Sequence, residues 1–199
     1  MDEEAAVFME SPAFKEMVAK RVADFGPGTP ELNTFAQGNQ FHAAGHRSLC
    51  GVHAPNGGVE LHLAPGVVCY AFACELYLKA LHHIAFGKAP RGHRLHLLFG
   101  NLPPETRRIT EDIYRAETGR DADQLRDDLL NFNTAFEDWR YVHEAEAQQL
   151  RLGALIRFTI ALYRSVRDQR PKWPMETPAP YVTMPTFMGG AKTPAEGPA

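Results

Sequence analysis

The 199-residue chain lacks a charge excess of either sign, since 21 lysines and arginines stand against 24 acids. This balance excludes a histone-like polycation and an acidic solvating tail, so any nucleic-acid surface must be local. The three cysteines are an odd number without metal-knuckle spacing, and we expect buried thiols rather than a disulfide framework. The amino terminus has no basic, apolar leader, so a cytoplasmic protein is expected.

Sequence motifs of the common enzyme classes are also lacking. The sequence contains no glycine-rich phosphate loop, no HExxH helix and no GxSxG elbow, so kinase and hydrolase interpretations lose their usual support. One set of side chains has spacings that zinc could use, but Gly45 and Gly51 interrupt its geometry. That set is His42, His46, Cys50 and His53. Metal binding is the less favoured interpretation, and we predict no cofactor.

Helical periodicity dominates what is present. The most apolar run, residues 65–86, is long enough to span a membrane, but it carries Glu75 and Lys79 near its centre. We therefore predict the buried central helix of a bundle and no membrane contact. Ser11 and Pro12 begin an earlier helix, and the pattern from Asp121 to Gln124 is typical of a capping box. Further apolar stripes continue to residue 166.

These signals predict an all-α protein, an antiparallel bundle of four or five helices in one domain spanning residues 1–170. Residues 32–64 are rich in glycine, and we expect irregular structure or a small hairpin insertion there. Residues 171–199 hold 7 of the 15 prolines and are expected to form a flexible tail. Its aromatic residues give it a possible role as a segment that binds a protein partner.

Two groups of charged residues stand out around the central helix. Glu75 and Lys79 are four residues apart, which favours a structural ion pair over a role in a site. The segment from residue 76 to residue 104 contains no acid. Its cations could receive the phosphate groups of a nucleotide or of RNA, or they could form a solvated corner between helices. The candidate phosphate-binding residues are Lys88, Arg91, His93, Arg94 and His96.

A second candidate site lies later in the chain. Arg140 and His143 are three residues apart on a predicted helix and would share one face. An arginine that holds a phosphate beside a histidine that moves a proton suits metal-independent cleavage of RNA at the 2′-hydroxyl. Alternatively, Arg140 pairs with Glu137 or Glu144, and His143 has no catalytic role.

Three segments in order, CELYLKALHH, GHRLHLLFGNLP and FEDWRYVHE, resemble the HEPN family (higher eukaryotes and prokaryotes nucleotide-binding). The resemblance covers about residues 65–167. It implies a four-helix bundle that is often a dimer, in a family of toxin-antitoxin and defence RNases and of many non-catalytic modules. Catalytic members carry an arginine and a histidine, with four to six residues between them, on a late helix. Here only two residues separate Arg140 from His143, so the catalytic roles are not carried over.

The sequence therefore predicts a HEPN-like module associated with nucleotide or RNA binding and without catalytic activity. We expect a homodimer formed through the late helices. Two alternatives stay open. One is a divergent metal-independent RNase of toxin or defence type that uses Arg140 and His143, and the other is a plain protein-interaction module whose tail contacts the partner.

Overall fold

The computed structural model describes residues 11–13, 15–16, 28–53, 59–133 and 150–173. Most of the helix predicted after Ser11, the candidate residues Arg140 and His143, and the tail beyond residue 173 lie outside the described residues. Six helices occupy most of the described part, and they confirm the all-α prediction. They are α1 (Pro30–Leu49), α2 (Leu63–Phe86), α3 (Leu95–Gly100), α4 (Pro104–Thr118), α5 (Ala122–Asn131) and α6 (Leu152–Gln169).

The predicted start and stop signals delimit several of these helices. The Asp121 carboxylate accepts a hydrogen bond from the Gln124 backbone N–H at 2.9 Å, and the Gln124 side chain accepts one from the Asp121 N–H at 3.0 Å. This is the capping box that begins α5. Gly87 and Gly119 follow α2 and α4 with φ of 70° and 71°, a conformation that glycine adopts without strain.

Helix α2 lies at the centre of the bundle. It packs against α1, α3 and α6, and α6 also packs against α4. Tyr70, Leu78 and Leu81 of α2 are fully buried, together with Leu155 and Ile156 of α6. By length and composition, α2 is the one helix among the described residues that could cross a membrane, and most of its apolar stretch is buried inside the fold.

Residues 32–49, expected to be irregular, instead belong to the continuous 20-residue helix α1. The glycines in this segment face α2 and allow a close approach between the two helices. A Cβ atom at Gly38 would lie 2.7 Å from the ring of Tyr77, and one at Gly45 would lie 2.9 Å from the ring of Tyr70. The packing gained against the buried tyrosine rings therefore outweighs the low helix propensity of glycine.

The hairpin expected after this helix is present in a short form. Strand β1 (Val52–His53) pairs in antiparallel fashion with β2 (Val59–Glu60), with Val52 opposite Glu60. Helix α2 begins directly after it, at Leu63. The hairpin therefore connects α1 to α2.

The cysteines are free thiols. Cys74 is buried, whereas Cys50 and Cys69 are partly buried. Thr159 donates its hydroxyl hydrogen to the Leu155 carbonyl at 2.8 Å, so the Cys74 thiol is the donor in its 3.0 Å contact with the Thr159 oxygen. Burial raises the pKa of Cys74 to about 12, which keeps this thiol protonated and poorly nucleophilic.

Candidate nucleic-acid interface

The Glu75 carboxylate anchors the loop that follows the central helix. Lys79, four residues along α2, donates a hydrogen bond to Glu75 Oε1 at 2.7 Å. His93, in the loop between α2 and α3, has its Nδ1 atom 2.9 Å and 3.0 Å from the two Glu75 oxygens. Because Glu75 is buried, these two partners provide the compensation that a buried carboxylate requires.

This anchor also determines which nitrogen of His93 is available. A carboxylate only accepts hydrogen bonds, so Nδ1 carries a hydrogen and Nε2 is the acceptor of the neutral ring. The His93 side chain is 58% exposed. On protonation, His93 can donate from Nε2 to an anion while Nδ1 stays bound to Glu75.

We define the basic corner as residues 88–96, which include most of the loop between α2 and α3 and the first two residues of α3. One cavity of about 340 Å³ is lined by Arg91, His93 and Arg94, and Leu97 and Leu98 form an apolar part of its wall. The structure thus brings together three of the five residues proposed from the sequence to bind phosphate.

The other two candidates are placed differently. Lys88 is exposed at the beginning of the corner and does not line this cavity. His96 lines a separate cavity, and its Nδ1 lies 2.7 Å from the side-chain oxygen of Asn133.

The lysine and the two arginines of the basic corner have no acidic partner in the part of the chain that the structure describes. Within the described residues, none of Lys88, Arg91 and Arg94 forms an ion pair, and the nearest upstream acid is already bound to Lys79. Arginines elsewhere behave differently, since Arg108 of α4 pairs with both Glu105 and Asp112. The basic corner therefore has a local excess of positive charge in a protein whose net charge is −3.

A second charged network, centred on Asp128 of α5, was not predicted from the sequence. The fully buried Asp128 carboxylate accepts a hydrogen bond from the Tyr114 hydroxyl at 2.8 Å. Arg120 Nε lies 2.6 Å and Arg151 Nη1 2.8 Å from its oxygens. The hydrogen bond to Asp128 raises the pKa of Arg120. Asp128 thus connects α4, α5 and the start of α6. Its position between Leu125 and Leu129 is the sequence signal that could have indicated its burial.

The possible zinc ligands of the sequence do not form a site in the described part of the chain. His42 is fully buried between α1 and α2, where the Tyr77 hydroxyl donates to Asn39 at 2.8 Å and lies 3.2 Å from His42 Nδ1. Burial and the nearby His46 lower the pKa of His42 to about 3. No group of three His, Cys, Asp or Glu side chains among the described residues could hold a metal ion.

Comparison of the chain with family models, with curated proteins and with solved structures gives no match. The resemblance to the HEPN family therefore stays a prediction from the three sequence segments. The all-α fold is established by the structure itself.

Proposed function

We propose that this chain is a HEPN-like helical module that binds the phosphate groups of a nucleotide or of RNA at the basic corner, without catalysing a reaction. The observation that carries the proposal is the shared cavity of Arg91, His93 and Arg94. A guanidinium group can hold a phosphate through two parallel hydrogen bonds, and two such groups flank the histidine here.

The surroundings of these residues favour a phosphate over a protein carboxylate from this chain. Between residues 76 and 104 there is no acid that could neutralise the arginines. The hydrogen bonds from His93 to Glu75 hold the loop on the buried central helix, so part of the cavity wall is ordered before a ligand arrives. A preorganised wall lowers the entropy cost of binding.

Salt dependence of RNA binding tests the proposal. Contacts to single-stranded RNA release condensed counterions with a slope of about 0.7 per phosphate, so three contacts give a log-log slope of about 2. Replacing Arg91 and Arg94 with alanine should weaken binding of a fluorescent single-stranded RNA and flatten the slope. The matched control replaces Arg108 and Arg115, which are exposed and bound to nearby acids.

Two results would contradict this function. The first is the absence of RNA or nucleotide binding at low salt, and the second is equal binding by the two double variants. In that case the protein-interaction alternative would become the better one.

The same RNA samples test the catalytic alternative. We expect the RNA to stay intact after incubation with the protein. Cleavage that disappears in a His143→Ala variant would instead support the RNase hypothesis. Light scattering at micromolar concentration tests the homodimer that we propose alongside this function.

A further inference from the structure

A second cavity, separate from the one at the basic corner, lies between helices α3, α4 and α5. It has a volume of about 260 Å³. We call it the α3–α5 cavity. Its lining combines apolar side chains with His96, Arg107, Glu111 and Arg126.

Arg107 is the unusual residue of this cavity. The other two arginines of α4 point to solvent and form ion pairs, Arg108 with Glu105 at 2.7 Å and Arg115 with Asp112 at 2.9 Å. Arg107, in contrast, lines the cavity, and its Nε atom is buried without a hydrogen-bond acceptor among the described residues. A buried donor without an acceptor destabilises a protein. The rest of the Arg107 guanidinium also has no acceptor among the described residues, so it is available to an anion in the cavity.

Apolar side chains form the floor of the α3–α5 cavity. Phe99 of α3 and Leu125 and Leu129 of α5 are buried and line it together. Leu130 also lines it and is 57% exposed, so the apolar surface continues to the rim. A ligand with an apolar body would gain from covering this surface.

The acid in the wall restricts the charge of the ligand. Glu111 lines the cavity and has no hydrogen bond or ion pair from its side chain among the described residues. Arg126 lies at the rim, where it is largely exposed and already bound to Asp123 at 3.2 Å. Among the described residues of the lining, one inner cation lies beside one carboxylate, which favours a singly charged anion over a doubly charged phosphate.

The hydrogen bonds of His96 determine which of its ring nitrogens carries a hydrogen. Its backbone N–H donates to Asn133 Oδ1 at 3.3 Å, and its Nδ1 lies 2.7 Å from the same oxygen. Because this oxygen accepts both bonds, Nδ1 carries the ring hydrogen, and Nε2 of the neutral ring is an acceptor. Neutral His96 therefore does not supply a ring donor to an anion, and Arg107 is the inner donor for it.

We propose that the α3–α5 cavity binds a small organic monocarboxylate with an apolar body. The carboxylate accepts hydrogen bonds from the Arg107 guanidinium, and the apolar body lies on Phe99, Leu125 and Leu129. A volume of 260 Å³ is slightly below the usual range for drug-sized ligands, about 300–1,000 Å³, so a molecule the size of phenylacetate is appropriate.

Calorimetric titration of the full chain at neutral pH tests this proposal with four probes. Phenylacetate should bind, whereas acetate, which lacks the apolar body, and benzyl alcohol, which lacks the charge, should each bind at least about tenfold more weakly. Phenyl phosphate, which is largely a dianion at neutral pH, should also bind more weakly than phenylacetate because it faces Glu111.

Substitutions at neighbouring arginines provide the matched control. Arg107→Gln should weaken phenylacetate binding at least about tenfold, and Arg108→Gln should leave it unchanged. Without ligand, Arg107→Gln should be no less stable than Arg108→Gln, because it removes a donor that has no acceptor. Arg107→Lys, which keeps the charge but loses the two-pronged donor, should give an intermediate affinity and serves if the glutamine variant does not fold.

Absence of saturable phenylacetate binding at millimolar concentration would overturn the proposal. Equal binding by the Arg107 and Arg108 variants would overturn it as well. Tighter binding of phenyl phosphate than of phenylacetate would refute the assignment to a monocarboxylate. None of these results depends on RNA binding at the basic corner.

Discussion

His42 should make the stability of this protein strongly dependent on pH. The side chain is fully buried between α1 and α2, with its Nδ1 atom 3.2 Å from the Tyr77 hydroxyl oxygen. Burial, with a smaller contribution from His46, lowers the pKa of His42 from 6.5 to about 3. Between these two values the unfolded chain binds a proton that the folded protein does not bind. The stabilisation is therefore complete above pH 6.5 and is lost as the pH falls.

The size of the effect follows from the two pKa values. At pH 5 the unfolded histidine is almost fully protonated and the folded one almost fully neutral. The linkage relation then gives a loss of about 2 kcal/mol in the free energy of unfolding between pH 7 and pH 5. For a chain of this length, that loss corresponds to a decrease of about 4–8 °C in melting temperature. The pKa of His46 is also lowered by burial, which adds to the loss.

Urea unfolding at pH 7, 6 and 5 measures this loss. A His42→Gln variant is expected to be less stable at pH 7, but its further loss on acidification should be smaller than that of the wild type by about 2 kcal/mol. His62→Gln is the control, because it removes a half-exposed histidine and leaves the buried His42 in place, so the loss caused by His42 should remain. If His42→Gln loses as much stability as the wild type between pH 7 and pH 5, the reasoning is refuted. Ring resonances of His42 that titrate near pH 6 would refute it independently.

Three further substitutions test the packing and the charged network. Leu78→Ala in α2 should cost about 2–5 kcal/mol, and an unchanged melting temperature would contradict the central position of this helix. Asp128→Ala should cost about 1–3 kcal/mol, because it leaves the buried Tyr114 hydroxyl without its acceptor. Asp112→Ala on the surface should cost about 1 kcal/mol or less, and equal melting temperatures would contradict the difference in burial. Gly38→Ala should lower the urea midpoint, because the added Cβ would lie 2.7 Å from the Tyr77 ring. At an open position alanine would instead stabilise a helix relative to glycine. A raised midpoint would therefore show that α1 and α2 can move apart without cost.

Local signals in the sequence predicted much of the fold because they act over a few residues. The capping box at Asp121 and the glycines after α2 and α4 mark helix ends by hydrogen bonds and backbone angles that the neighbouring residues supply. The apolar run of α2 predicts removal of a large apolar surface from water, and the charged pair at its centre favours burial in a bundle over a membrane. Glu75 and Lys79 are close in any helix that contains both.

Local signals did not predict the continuity of α1. In the sequence, Gly38 and Gly45 weaken the prediction of a continuous helix, because glycine has high conformational freedom in an isolated segment. In the folded protein both positions face tyrosines of α2, and the absence of a side chain is what permits the contact. The helix exists because of its neighbour, and that information is not in residues 30–49 alone.

The candidate sites depended on tertiary structure in the same way. The sequence identified the cations of the basic corner, but the approach of His93 to Glu75, 18 residues away, is a consequence of how the loop folds back on α2. It also did not indicate that His96 belongs with Arg107 rather than with Arg91. Residue type and spacing thus determined which helices form and where cations are concentrated. The packing of the helices and loops against one another decided which of those cations share a cavity and which buried groups find a partner.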